Sequence, residues 1–162
     1  MARLLLSLIF LSLTHLSFST PFNPNHPISP LFAVNDVHDL LPQYGFPRGL
    51  IPANAKSYTL EDDTGSFTIH LEAPCYVQFD QLVWYDKIIK GRLTYGAVHD
   101  VSGIQAKKLF LWLPVTGIEV DKDAGMLEFY VGALSEKLPA KQFQEVPTCR
   151  GKGSLRTNLA SI

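Results

Sequence analysis

The chain has 162 residues, of which 46% are hydrophobic and 18% charged, and its formal net charge at pH 7 is −1. This length suits one domain, and this composition can build a hydrophobic core, which argues against a disordered chain. A nearly neutral domain has no field that could hold nucleic acid or an anionic membrane by charge alone. We therefore expect no nucleic-acid partner.

The amino terminus is typical of a secretory signal peptide. Arg3 supplies a positive start, and Leu4 to Leu13 form a nearly continuous apolar run. Small residues, Ser17 and Ser19, then stand three and one positions before the expected cut. This order predicts a signal peptide over residues 1–19 with cleavage after Ser19, and hence entry into the secretory pathway. The apolar run is shorter than the about 20 residues of a membrane span, so we expect no transmembrane segment after signal removal.

The segment that follows is rich in proline, with Pro21, Pro24 and Pro27 at three-residue intervals. Proline lacks a backbone donor and fixes its own φ angle, so it disfavours both helix and sheet. We predict an extended leader over residues 20–33.

Val34 to Tyr44 is the best helix candidate. Asn35 or Asp36 can cap its first turn by accepting from free backbone donors. Pro42 argues against a regular helix beyond residue 41, and Gly45 is a plausible stop. The apolar residues recur at the spacing of one helix face, at Val37, Leu40, Leu41 and Tyr44.

From about residue 57 the apolar spacing becomes alternating, which is the pattern of strands with one buried face. Turn-forming segments at residues 62–65 and 121–125 each contain a glycine. The series predicts a mainly β (α+β) fold in a single domain over residues 34–149: an antiparallel small barrel or curved sheet on which the short amino-terminal helix packs. We predict a short helical turn over Ala140–Glu145 and a flexible tail over residues 150–162. The predicted strands are Ser57–Glu61, Phe67–Leu71, Cys75–Phe79, Lys87–Tyr95, Lys107–Val115, Met126–Val131 and Ala133–Leu138.

The segment Lys107–Val115 is apolar on both faces of the predicted strand, because its leucines alternate with Phe110 and Trp112. Two apolar faces predict a central strand, or one that the helix covers. Lys107 and Lys108 at its start have two interpretations, a head-group contact for an amphipathic ligand or an ordinary solvated strand end.

Aromatic residues are plentiful. They fill the core or, in a second interpretation, some of them line an apolar cavity for a lipid, pigment or other hydrophobic ligand. The set comprises Tyr76, Phe79, Trp84, Tyr85, Tyr95, Phe110, Trp112, Phe129 and Tyr130.

Cys75 and Cys149 are the only cysteines. An even pair in a chain bound for an oxidising compartment favours a disulfide between them. Such a bridge stabilises by about 3–5 kcal/mol, mainly by restricting the unfolded chain. The alternatives are two separate buried thiols, or a nucleophilic Cys75 activated by a base that the sequence does not place.

The sequence assigns no catalytic or metal-binding residue, and we expect no cofactor. His26, His38, His70 and His99 lack the spacing of metal ligands, so we predict ordinary surface histidines. The sequence has no Gly-x-Ser-x-Gly elbow of the common esterases and no glycine-rich phosphate loop. Turn chemistry explains the aspartates of the two turns without a calcium site.

Six motifs run in order through nearly all of the predicted domain: LLPQYGFPRGLIP at residues 40–52, CYVQF at 75–79, YDKIIKG at 85–91, LTYG at 93–96, GIQAKKLFLWLPV at 103–115 and FQEVPTC at 143–149. Through them the chain resembles the plant proteins that contain the domain of unknown function 538. The resemblance implies a small secreted β-rich protein with an amino-terminal helix, located in the extracellular space or apoplast. That family has no settled activity, and it has been likened to bactericidal/permeability-increasing and lipid-binding proteins, whose curved sheet wraps a helix around lipid. The resemblance carries no site residues over to this chain.

Three functional hypotheses follow. The first is a secreted or endomembrane, monomeric binding module for a lipid or other amphipathic small molecule, which the apolar helix face, the two-faced Leu109–Leu113 strand and the aromatic residues support. The second is a hydrolase acting on an ester of a cell-wall or pigment substrate. The third is a structural or interaction protein with a packed core and no ligand. We favour a non-enzymatic protein over an enzyme.

Overall fold

The computed structural model describes residues 36–150. The predicted signal peptide, its cleavage after Ser19, the leader over residues 20–33 and the tail beyond Arg150 lie outside the described residues and stay predictions. Arg150 itself pairs with Tyr76 through two backbone hydrogen bonds, from Arg150 N to Tyr76 O (2.8 Å) and from Tyr76 N to Arg150 O (3.2 Å).

The fold is one antiparallel sheet of eight strands in the order β1-β2-β4-β5-β6-β7-β8, with β3 paired to the first part of β4. Within residues 36–150, β1 and β8 do not pair, so the sheet is curved but not closed. This confirms the predicted antiparallel β-rich fold in its curved-sheet form. The strands are β1 Ala55–Leu60, β2 Ser66–Leu71, β3 Cys75–Gln78, β4 Leu82–Thr94, β5 Ala97–Lys108, β6 Leu111–Asp121, β7 Met126–Val131 and β8 Leu134–Pro139.

One helix, α1, spans Val37–Gln43 and lies within the predicted Val34–Tyr44, beginning directly after Asp36, one of the two predicted caps. The Asp36 carboxylate accepts from the backbone N–H of His38 at 2.9 Å, which caps the first turn. Gly45 stops the helix with φ 83, a conformation that costs glycine little. Phe46 N then donates to Leu41 O at 3.0 Å, as in a Schellman motif.

The prediction that Pro42 ends the helix is wrong by about half a turn, since α1 continues through Gln43. The N–H that Pro42 lacks would have donated to the carbonyl oxygen of His38. The Arg48 guanidinium supplies the missing donor, because its Nε lies 3.3 Å from that oxygen. A residue beyond the helix therefore completes the turn that proline interrupts.

The core lies between α1 and the face of the sheet on which it packs, called the inner face below. Val37, Leu40 and Leu41 are buried against it, and Tyr44 is half-buried at the end of the same stripe. The sheet contributes its inward-facing alternate residues, which include Leu71, Val77, Ile89, Leu127 and Val131. The predicted arrangement of helix stripe and sheet is confirmed.

The carboxyl-terminal segment crosses the open side of the sheet. After β8, a 3₁₀ turn at Ala140–Phe143 confirms the predicted helical turn and buries Phe143. The segment then runs close to a second 3₁₀ turn, Arg48–Leu50: a Cβ on Gly49 would lie only 2.6 Å from the carbonyl oxygen of Phe143. A disulfide joins Cys75 to Cys149, with Cα atoms 5.4 Å apart, which is the pairing that the sequence favours.

The prediction of one continuous strand over Lys107–Val115 is wrong. The chain reverses at Leu109 and Phe110, so the segment forms the end of β5, a two-residue turn and the start of β6. In this β5–β6 hairpin Lys108 faces Leu111, and Lys107 faces Trp112. The apolar run therefore lies at a hairpin tip rather than in the middle of the sheet.

Candidate functional site: an exposed apolar hairpin tip

The interior leaves little room for a ligand. The void between α1 and the sheet has a volume of about 50 Å³ and is lined by apolar side chains, among them Leu40, Ile69, Val98 and Ile118. Pockets for small molecules occupy about 300–1,000 Å³. The helix and the sheet are thus in contact, and the space between them is too small for an acyl chain.

The aromatic residues on the inner face fill the core. Phe143 packs between Phe79, at 4.8 Å between ring centroids, and Phe129, at 5.3 Å. The void beside these rings measures about 30 Å³. Tyr85 is buried with its hydroxyl donating to Leu50 O at 2.9 Å, and burial raises its pKa. For these four residues the core-filling interpretation is the right one.

The histidines do not assemble a catalytic group among the described residues. His38 is a correction to the sequence-based expectation, because it is only 6% exposed rather than on the surface. Its Nδ1 lies 3.1 Å from Arg48 O, and since a carbonyl only accepts, Nδ1 carries the hydrogen. His70 is half-buried and His99 exposed. Within residues 36–150, no cluster of three or more His, Cys, Asp or Glu residues could hold a metal ion.

An open groove of about 620 Å³ crosses the outer face of the sheet, with Tyr130 as its aromatic wall. Tyr130 is the cross-strand partner of Gly117, and a Cβ added to Gly117 would lie 3.2 Å from the Tyr130 ring. Desolvation and a hydrogen bond to Glu119 raise the pKa of Tyr130. An aromatic side chain that covers a strand glycine is a known device for stabilising a sheet, and it explains this ring without a ligand.

Among residues 36–150, the longest contiguous run of exposed large apolar side chains is at the tip of the β5–β6 hairpin. We call Leu109–Trp112 the apolar tip. Leu109 is 89% exposed, Phe110 92% and Leu111 64%, and Trp112 is 37% exposed. Single exposed apolar residues are ordinary, but a contiguous group is the usual mark of an interaction site.

The base of the apolar tip carries aromatic and cationic side chains on the outer face. Trp112 packs against Tyr76, with ring centroids 5.8 Å apart, and Trp84 lies opposite Tyr76 in the β3–β4 ladder. Lys107 is exposed beside Trp112. Lys108 is engaged in an ion pair instead.

Lys108 pairs with the carboxylate of Glu136 on β8. The same carboxylate oxygen accepts from Gln81 Nε2 at 3.2 Å. These contacts join the end of β5 to β8 and to the β3–β4 turn, so the base of the hairpin is fixed to its neighbours while Leu109 and Phe110 extend beyond them.

The backbone conformation at Leu109 is unfavourable for a leucine. Leu109 has φ 54, a left-handed conformation that glycine, asparagine and aspartate adopt most readily. A leucine there costs about 1–2 kcal/mol relative to an ordinary conformation. Residues held in unfavourable backbone conformations cluster at functional sites, where the function of the side chain outweighs the backbone strain.

Sequence reasoning assigned Leu109 and Phe110 to a buried strand and so missed the tip. No glycine, proline, asparagine or aspartate marks the turn, which is why the pattern was misleading. The available signal was the pair Lys107–Lys108, which is unusual at the start of a strand with two buried faces.

Comparison with known proteins gives a family but no activity. Residues 37–144 match the family model described as "Protein of unknown function, DUF538". The chain is 29% identical over 85 residues to a protein of Arabidopsis thaliana described as "Uncharacterized protein At5g01610"; the aligned part is 51% of this chain and 49% of that protein, so the chain spans about half the length of the curated relative it matches. The family model covers more than half of the chain and agrees with the resemblance carried by the six motifs, and the chain therefore belongs to the DUF538 family.

Proposed function

We propose that this chain is a secreted, non-enzymatic binding module for amphipathic molecules of the lipid type, and that it contacts them at the apolar tip rather than in an internal cavity. The observation that carries the proposal is the exposure of Leu109 and Phe110, 89% and 92%, on a hairpin whose base is fixed by the Lys108–Glu136 ion pair. Apolar surface held out of the core is stabilised when an apolar partner covers it.

Secretion and a monomeric state belong to the same proposal. The predicted signal peptide and the Cys75–Cys149 disulfide both suit an oxidising compartment. Among the described residues, no helix is long and apolar enough to span a membrane.

The test uses Trp112 as a reporter. The chain has two tryptophans, Trp84 and Trp112, so Trp84→Phe leaves Trp112, at the base of the apolar tip, as the single tryptophan. This variant is titrated with lysophosphatidylcholine from below to above its micelle-forming concentration. We expect a blue shift of Trp112 emission as the tip enters an apolar environment, and no shift when Phe110→Ser is added to the same background.

Three other results would change the proposal. No response at any concentration would contradict amphiphile binding and favour the third hypothesis, an interaction protein with a packed core. An equal response with and without Phe110→Ser would place the contact elsewhere. Lysophosphatidylcholine recovered as fatty acid would favour the ester hydrolase over the binding module.

A further inference from the structure

We propose that the partner of the apolar tip is the surface of a lipid bilayer, in which Leu109, Phe110 and Leu111 enter the acyl region and Trp112 lies at the level of the head groups. The inference rests on the proposed function and names its ligand. It is carried by the shape of the tip, the order of side chains along the hairpin, and the local charge.

The shape of the tip suits a fluid partner better than a protein. A stable protein interface covers about 800 Å² on each partner and involves about 20–30 residues a side. The apolar tip has four residues; Lys107 and Lys108 precede it, and Leu113 and Pro114 follow it. A narrow protrusion of this size can be surrounded by acyl chains on all sides, whereas a protein would need a matching pocket.

The side chains along the hairpin follow the order of a membrane interface. Leu109 and Phe110 lie farthest out, and Trp112 lies two residues behind Phe110, which is about 7 Å at the rise of a strand. Tyr76 packs on Trp112 at that depth. Tryptophan and tyrosine favour the boundary between acyl chains and head groups, and lysine extends its amine towards water.

The charge near the tip is small, which determines how binding responds to salt. Lys107 and Arg150 are exposed and have no ion-pair partner among the described residues, Lys108 is neutralised by Glu136, and exposed Asp80 lies in the β3–β4 turn at the same end of the sheet. Two free cations and one anion give only a weak attraction for an anionic surface. Apolar insertion is therefore the driving force, and a zwitterionic bilayer is a sufficient partner.

The experiment measures binding of the full chain to phosphatidylcholine vesicles by flotation. Leu109→Asn/Phe110→Ser removes both outermost side chains, and asparagine suits the positive φ at position 109, so the hairpin is retained. We expect this variant to bind at least about 100-fold more weakly than the parent, from the transfer free energy of the two side chains. Phe110→Ser alone serves if the double variant fails to fold.

Two controls make the result specific. Leu134→Asn removes another exposed leucine, 62% exposed, from the neighbouring β7–β8 hairpin, and is expected to leave binding unchanged. In the Trp84→Phe background, lipids brominated near the head-group end of the acyl chain are expected to quench Trp112 more than lipids brominated near its terminal methyl. Raising the salt concentration tenfold is expected to change binding less than about threefold.

The outcomes separate this inference from the proposed function. Binding to lysophosphatidylcholine micelles without binding to vesicles would overturn the bilayer inference and leave the proposed function standing. Failure with both would overturn both. Vesicle binding that the tip variants do not weaken would also overturn the inference, as would self-association in sedimentation velocity that the tip variants abolish, because a second copy would then be the partner.

Discussion

Phe143 is the residue whose removal should reveal most about how the open sheet is stabilised. Its ring packs between Phe79, which directly follows β3, and Phe129 on β7. The strands β3 and β7 do not pair with each other. The side chain is 3% exposed. Phe143 therefore joins, by side-chain packing, two parts of the sheet that do not pair through backbone hydrogen bonds. Phe143→Ala tests that role.

The expected cost of Phe143→Ala is about 3–5 kcal/mol. A buried phenylalanine covers about 150–250 Å², which at about 25 cal/mol per Å² amounts to about 4–6 kcal/mol, of which the remaining methyl group retains a part. A void of about 30 Å³ already lies beside the ring, so truncation of the side chain enlarges an existing cavity. A loss of this size is a large share of the about 5–15 kcal/mol that holds a typical domain.

Urea unfolding followed by tryptophan fluorescence and by circular dichroism measures this loss, and the slope with urea shows whether the transition stays two-state. Phe110→Ala is the matched control, since it removes the same atoms from a side chain that is 92% exposed, and a change within about 0.5 kcal/mol is expected. If Phe143→Ala destabilised the chain no more than Phe110→Ala, the rings would not be closing the sheet and the reasoning would be refuted.

Three further predictions concern stability. Replacing Cys75 and Cys149 by alanine opens a loop of 74 residues and should lower the free energy of unfolding by about 4 kcal/mol; a melting temperature equal to that of the parent would contradict this. Lys137 donates to Asp121 and holds the pKa of that carboxyl below its ordinary 3.8. The interaction therefore stabilises the folded state at pH values above the unfolded-state pKa of Asp121, and this stabilisation is lost as the pH falls through the folded-state pKa. Asp121→Asn should therefore flatten the fall of unfolding free energy with acidification below about pH 4, and an unchanged slope would exclude this pair as a cause. Leu127→Ala removes a side chain with no exposure and should cost about 2–5 kcal/mol in urea unfolding; a smaller loss would mean that the surrounding strands collapse into the gap.

Local sequence determines most of the elements of this fold. Asp36 and Gly45 bound the helix because capping and a positive φ depend on single residues and their immediate neighbours. The turn before β2 likewise depends on Gly65, which has φ 69. Alternating apolar residues identify most of the strands and their inward faces, because the side-chain period of a strand is a local property. β5, Ala97–Lys108, is the exception: only its last two residues are predicted as strand, because register shifts in its pairing with β4 and β6 break the alternation. Two cysteines in a chain with a predicted signal peptide leave one intramolecular pairing, and that pairing is present.

The tertiary structure decided where strands stop and what the helix covers. The apolar run at Lys107–Val115 has no turn residue, and whether it continued or reversed depended on pairing along the whole of β5 and β6. Those ladders offset the cost of a left-handed Leu109 and place the tip in solvent. His38 is buried because Arg48, ten residues away in sequence, folds back on the helix. Periodicity tells which side chains share a face, but exposure depends on what packs against that face, and that is a property of contacts between distant segments.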